Sequence, residues 1–365
     1  MKKTIFLPLI LCLTGCSPIV PIIIRELSQS KSTNVRIASD IPTSNMPCIP
    51  IQPSKQSELS IRKDISSEAA NAFLSGSFEK LENYYSIYRQ RTSRTPGGRW
   101  KLQFFYVGIL PANLEDERDW IEAETKILKW IKLYPKSPAP YIVYSDFLIK
   151  RAWYFRGEAS AKDVSREAWE LFNQNIDLAR STLEKSKEIA SVDPQWYANM
   201  VTVAKTQSWS KKEVKKLLYE ALSKEPYYQQ TYHEAFSYML PKWSGSFEEA
   251  ENFAEDAVAI TNKCEGRGMY ARLYWRAFNN DREFTNKPFD SAQVDWKKFS
   301  EGFEDILVRY PDSWNVNNYA RFACLARDKA KARKWINKIG SKPVIEAWDQ
   351  EGVNFTDCQK WEFEP

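Results

Sequence analysis

The sequence predicts an all-α protein built as an irregular array of antiparallel helical hairpins. One observation is periodic: Phe172, Ile176, Ala179, Leu183 and Ala190 fall on a single helical stripe, while the period-2 alternation of a strand is hard to find anywhere. The other is punctuation. "LYPKSPAPY" at Leu133, "SVDPQWY" at Ser191, "SKEPYYQQTY" at Ser223 and "VRYPDSWNV" at Val308 each close one helix on a proline and open another carrying an aromatic in its first turns.

The chain begins differently. Lys2 and Lys3 precede an apolar run from Ile5 to Leu13, the length of a secretory h-region and too short for a membrane span. Gly15, Pro18 and Pro21 interrupt any longer helix, since a proline costs roughly 3 kcal/mol in a helix interior. Leu13-Thr14-Gly15-Cys16 resembles a bacterial lipobox, which implies a lipoprotein signal peptide over residues 1–16, cleavage just before Cys16, lipidation of Cys16 and a membrane-anchored lipoprotein. Ser17 at the next position resembles the sorting signal for the outer membrane, facing the periplasm.

Residues 17–58 hold Pro18, Pro21, Pro42, Pro47, Pro50 and Pro53 among Ser, Thr and Asn without a helical period, so they read as a largely disordered tether. Residues 59–365 read as the helical body, whose core is supplied by much of the chain's 14 Trp, 18 Tyr and 19 Phe. Without Lys2 and Lys3 the formal charge falls from +5 to +3, with acids and bases interleaved. No basic stripe points to nucleic acid.

The junctions resemble those of tetratricopeptide repeats. Pro194 and Pro226 lie 32 residues apart, near the repeat length of about 34. Leu218 and Ala221 fit the large and small positions of a second helix, and Tyr232, Ala235 and Phe236 those of the next first helix, although the repeat favours glycine where Phe236 stands. Ala250, Ala254 and Ala257 add a small-residue stripe. The other junction prolines are 59 and 85 residues apart, hence an irregular array; an ordinary helical bundle is the alternative.

Four strings, "RTPGGRWKLQFFYVGI" from Arg94, "RAWYFRGEA" from Arg151, "DPQWY" from Asp193 and "SYMLPKWSGSFEEAENFAEDA" from Ser237, resemble the DUF4034 family of bacterial proteins over roughly Ser93 to Trp361. That resemblance implies helical hairpins and no established reaction. Within the strings, Gly97-Gly98 marks a turn entering a helix, and Ser246 with Glu249 reads as a capping box. Trp243 is a loop tryptophan, either folded over a hairpin end or an exposed anchor for a partner.

Little in the chain reads as chemistry. His233 is the only histidine and no Cys-x-x-Cys pair is present, so no metal site, cofactor site or catalytic residue is assigned. The acidic runs "NLEDERDW" and "SFEEAENFAED" read as solvated helix faces. Of the four cysteines left after processing, Cys324 and Cys358 are expected to pair, tying down a short C-terminal tail, while Cys48 and Cys264 are left either paired or free.

The functional expectation is a protein-interaction module or assembly scaffold using a concave helical-repeat surface. An immunity-type lipoprotein that neutralises a toxic effector is the second class, and an enzyme of unassigned reaction the third. Groove candidates, counted from the junctions, are Asn199, Lys205, Gln230, His233 and Glu234, with Trp243 beside them. The alternative is that these polar residues are the wet side of amphipathic helices.

Overall fold

Helix starts in this chain are set by caps that the sequence places just ahead of each apolar stripe. In the computed structural model Asp193 accepts from the Gln195 N–H with Pro194 at the first helical position, Asp312 accepts from Trp314, and Ser165 accepts from Ala168. Ser210 and Glu213 form a complete capping box. Ser246 accepts from the Glu249 N–H, but the Glu249 carboxylate pairs with Lys211 and does not return to the cap, so only half of the box expected there forms.

The structure describes residues 36, 40–41, 43, 45–51, 54–110, 114, 116–243, 245–280, 284, 289, 294–349 and 353–363. Among them are sixteen α-helices: α1 (Glu58–Leu74), α2 (Phe78–Tyr88), α3 (Lys101–Ile109), α4 (Glu117–Leu133), α5 (Pro138–Arg156), α6 (Arg166–Lys185), α7 (Lys187–Ala190), α8 (Pro194–Thr206), α9 (Lys211–Lys224), α10 (Gln229–Met239), α11 (Phe247–Glu265), α12 (Gly268–Asn280), α13 (Trp296–Arg309), α14 (Ser313–Leu325), α15 (Lys329–Ile339) and α16 (Phe355–Phe363). An isolated bridge between Arg94 and Trp100 is the β pairing seen among the described residues. The fold is all-α, an irregular tetratricopeptide-like array of helical hairpins.

Each hairpin joins a first helix to the helix that follows it: α5 to α6, α8 to α9, α10 to α11, α12 to α13 and α14 to α15. First helices also meet their counterparts in the next hairpin, α8 against α10 and α10 against α12. All four proline strings fall at helix junctions, between α4 and α5, α7 and α8, α9 and α10, and α13 and α14. The stripe from Phe172 to Ala190 is buried, as are Leu218, Ala221, Tyr232, Ala235, Phe236, Ala250, Ala254 and Ala257. Phe236, standing where the repeat favours glycine, fills its space edge-on to Tyr274 at 5.1 Å.

The array is not open along its length. Helix α1 packs on α3 and also reaches α14, so the N-terminal helices meet the last full hairpin. Part of the expected tether is likewise docked. Asp40 pairs with Lys215 at 2.6 Å, Arg36 pairs with Asp256, and Ile41 is buried. Arg309 Nη2 donates to the Ile49 carbonyl at 2.7 Å, and Cys48 is bridged to Cys264, with Cα atoms 5.3 Å apart. This corrects the expectation of a largely disordered segment through residue 58. The anchors, one isoleucine, one cysteine, one carbonyl and two charges, are few and irregularly spaced and leave no period to read. A second bridge joins Cys324 on α14 to Cys358 on α16, with Cα atoms 6.0 Å apart. The signal segment, Cys16 and Ser17 lie outside the described residues. No described helix is long and apolar enough to cross a membrane.

Candidate interaction surface

The string "RTPGGRW" makes a tight turn: Gly98 N–H donates to the Thr95 carbonyl at 2.9 Å and Thr95 N–H to the Arg99 carbonyl at 2.8 Å. Gly98 sits at φ +85°, and a Cβ there would lie 2.6 Å from the Tyr310 ring. Only glycine meets both conditions. The turn is then held by side chains from four helices. Glu58 of α1 accepts from Gly97 N–H at 2.6 Å and from Thr95 Oγ1 at 2.9 Å. Gln229 of α10 donates to the Gly98 carbonyl at 3.2 Å, and Arg272 of α12 donates to the Gly97 carbonyl at 3.0 Å. Asn315 of α14 reaches the same carbonyl at 3.4 Å. Helix α3 continues across the first helices, with Tyr106 donating to Asp193 at 2.7 Å and Gln103 to Gln230 at 3.1 Å. The chain's own turn and α3 therefore lie on the first helices, where a repeat array would hold a partner.

This placement corrects the groove expectation residue by residue. Asn199 is buried, donating to Ser145 Oγ at 2.9 Å and to the Ile142 carbonyl at 3.2 Å. Lys205, Gln230 and Glu234 form one internal network: Lys205 Nζ and Thr202 Oγ1 each donate to Glu234 at 3.1 Å, and Gln230 donates to its other oxygen at 2.9 Å. Burial pushes the Glu234 carboxyl up, but Lys205 and Arg276 together hold it below its usual range. His233 is buried, and burial followed by the charges of Arg99, Arg276 and Arg272 drives its pKa well below the usual 6.5. Trp243 is half-buried, edge-on to Trp153 at 6.1 Å with Lys205 Nζ 5.1 Å from its ring. It caps a hairpin end. Asn199, Lys205, Gln230 and Glu234 are polar because they bond to groups of the same chain, whereas neither ring nitrogen of His233 has a hydrogen-bond partner.

Among the described residues an open concavity lies at the proline junctions, which sequence reasoning recognised as turns but not as a surface. "LYPKSP", "SVDP" and the end of α9 come together beside the end of α2 to line a cleft of about 950 Å³. Trp100, Tyr85 and Tyr197 contribute buried aromatic wall, and Leu133 and Val192, each 56% exposed, stand at its edge. Four cations, Arg89, Arg91, Lys136 and Lys224, line it against two carboxylates, Glu82 and Glu225. Arg91 pairs with Glu225 at 2.8 Å and Trp130 Nε1 donates to Glu82 at 2.7 Å; burial still pushes both carboxyls up. Lys224 donates to Tyr197 Oη at 2.6 Å, and that phenol donates to Glu220 at 2.7 Å. Arg89 Nη2 makes a long contact, 3.4 Å, to the Val192 carbonyl, while Lys136 and Lys224 remain exposed. An aromatic, apolar-edged cleft with excess positive charge suits a peptide segment carrying acidic and apolar side chains.

Among the described residues no cluster of His, Cys, Asp and Glu is arranged to hold a metal ion. No protein-family model matches the chain, and no curated protein matches it. Among solved structures, the chain is similar to one described as "Human IFIT1 dimer with PPP-AAAA", at 14% identity over 79% of this chain and 63% of that one, with a TM-score of 0.32. The chain thus spans less than two thirds of that protein's length, and so distant a likeness carries no argument about what this one does.

Proposed function

We propose that this chain is a lipid-anchored protein of the cell envelope, held through Cys16 at the outer membrane and facing the periplasm, that captures a partner protein in its junction cleft. The cleft carries the reading: it is a large open concavity with aromatic walls, in a body whose first-helix face is covered by its own α3. Its excess of cations assigns an acidic, apolar-containing segment as the partner's contribution. The lipobox-like Leu13-Thr14-Gly15-Cys16 supports the anchor. Two disulfides support an oxidising compartment. Membership of the DUF4034 family is part of the same proposal, and one of the strings that carry the resemblance, "RTPGGRWKLQFFYVGI", forms the turn and helix that cover the first helices.

The test uses the protein in its native envelope. Labelled fatty acid should enter the wild-type chain and not Cys16→Ser, whose precursor should stay uncleaved. A partner recovered from envelope extracts should lose affinity by about tenfold, or 1.4 kcal/mol, when Val192 and Lys136 are both changed to glutamate while helicity is unchanged. Retained binding by that double variant overturns the cleft as the site. Turnover of an envelope substrate by the purified protein alone overturns the interaction reading.

A further inference from the structure

Over residues 327–342 the charge is one-sided: seven Lys and Arg stand against a single acid, Asp328. That acid is engaged within the fold, accepting from the Lys331 N–H at 3.0 Å as the cap of α15 and from Trp296 Nε1 at 3.0 Å. Lys331 is in turn paired with Glu304 at 2.6 Å. Arg327, Lys334, Lys338 and Lys342 are exposed, and among the described residues none of these four has a carboxylate partner.

The helix presents its charges together. Ala332, Trp335 and Ile336 form the buried stripe of α15, so Lys334 and Lys338 fall on the outward side. Their Nζ atoms each lie 5.0 Å from the centre of the same Trp335 ring, which holds two ammonium groups over one indole. Like charges one turn apart on a helix repel each other, and an anionic surface laid against them relieves that repulsion. The docked N-terminal segment shows which surface lies within reach. Its described residues cross the second helices of three successive hairpins: Asp40 pairs with Lys215 of α9, Arg36 and Cys48 join Asp256 and Cys264 of α11, and the Ile49 carbonyl takes Arg309 of α13. Helix α15 is the second helix of the next hairpin. From Cys16 to Arg36 the chain can span at most about 70 Å.

We infer that the outward face of α15, with Arg327 and Lys342 at its two ends, docks on the anionic phospholipid headgroups of the membrane that holds Cys16. The choice of occupant rests on the lipid-anchor reading above, because the anchor keeps a plane of headgroups at high effective concentration beside the body. Each Lys or Arg brought to an anionic lipid surface strengthens binding by about fivefold. An acidic protein would offer the same sign of charge, but nothing in the chain tethers one there. The face is formed by residues other than those lining the junction cleft, and it does not depend on what that cleft binds.

The test separates the face from the anchor. The chain from residue 17 onward keeps every described residue and carries no lipid, so its binding to vesicles reports the face alone. Flotation with vesicles of phosphatidylcholine containing phosphatidylglycerol should recover the protein, vesicles of phosphatidylcholine alone should not, and high salt should release it. Lys334→Gln combined with Lys338→Gln should weaken binding by about twentyfold. Lys129→Gln combined with Lys132→Gln, at two exposed lysines of α4, removes the same charge and should bind as wild type does. If the α15 pair lowers the melting temperature, Arg327→Gln combined with Lys342→Gln, outside the helix, gives the same reading. Equal recovery with both vesicle types, no recovery with the anionic ones, wild-type binding by the α15 variant, or an equal loss in the α4 variant would each overturn the proposal. Binding to polyglutamate in place of the vesicles would assign the face to an acidic protein and overturn it too. Failure here while fatty acid still labels Cys16 removes the docking face and leaves the anchor standing.

Discussion

Glu58, the first residue of α1, accepts a 2.6 Å hydrogen bond from the backbone N–H of Gly97, across 39 residues. The carboxylate is fully buried and also takes Thr95 Oγ1 and Arg62 Nε. One side chain therefore ties the N-terminal helix to the turn that α10, α12 and α14 grip from the other side.

Replacing Glu58 by alanine should be among the most damaging single changes in the body. It strands a buried N–H, a hydroxyl and a guanidinium together, and breaking a buried ion pair costs about 3–5 kcal/mol. The urea midpoint of Glu58→Ala reads the loss. A midpoint within error of wild type would mean that the turn is held by α10, α12 and α14 alone.

Two glycines separate backbone strain from steric exclusion. Gly98 and Gly340 both have positive φ, +85° and +63°. A Cβ at Gly340 meets nothing within 4 Å, whereas one at Gly98 meets Tyr310 at 2.6 Å. Gly340→Ala should cost about 1–2 kcal/mol for the left-handed backbone. Gly98→Ala carries that cost and the clash as well, so its melting temperature should fall clearly further; equal losses would place the Tyr310 ring out of reach of the turn.

What the sequence revealed and what it hid divide along one physical line. The α6 stripe and the four proline junctions are local, written in a period and in backbone chemistry, and they locate helices without any tertiary information. The covering of the first helices is not local. Asn199, Gln230 and Glu234 look solvent-facing because they are polar, yet their polarity serves the carbonyls, amides and side chains of elements distant in sequence. The one signal that could have exposed this is Gly97-Gly98 beside Trp100: two glycines so close to a large apolar residue suit a turn pressed against other structure. The junction cleft stayed hidden because its walls come from segments distant in sequence, two proline turns and the ends of α2 and α9.

Peptide mapping under non-reducing, thiol-blocked conditions should recover Cys48 linked to Cys264 and Cys324 linked to Cys358 from envelope-derived protein. The bridges span 216 and 34 residues. In the chain-entropy treatment they restrict the unfolded chain by about 5 and about 4 kcal/mol. Cys48→Ser should also release residues 45–51 from α11 and make that stretch a protease target, with α5 to α15 uncut. An alkylated thiol at any of the four positions in wild-type protein would count against that bridge.

Stability should fall as pH drops below about 6.5, and His233 should be the cause. Burial, reinforced by Arg99, Arg276 and Arg272, keeps its folded-state pKa well below 6.5, so beneath that value the unfolded chain takes up a proton that the native imidazole refuses. The unfolded state then gains about 1.4 kcal/mol per pH unit until the folded pKa is reached. Asp193, Glu225 and Asp312 act with the opposite sign. Their carboxyls are pushed up by burial, so the native state holds extra protons in a window above the usual carboxylate range, and acidification through that window favours folding. The two effects overlap in a single pH profile, and only a difference separates them. Subtracting the profile of His233→Gln, which cannot titrate, from that of wild type in phosphate-free buffer should leave a slope approaching one proton between the two His233 pKa values and no slope above about 7. A flat difference would show that the imidazole is reached by water and titrates alike in both states.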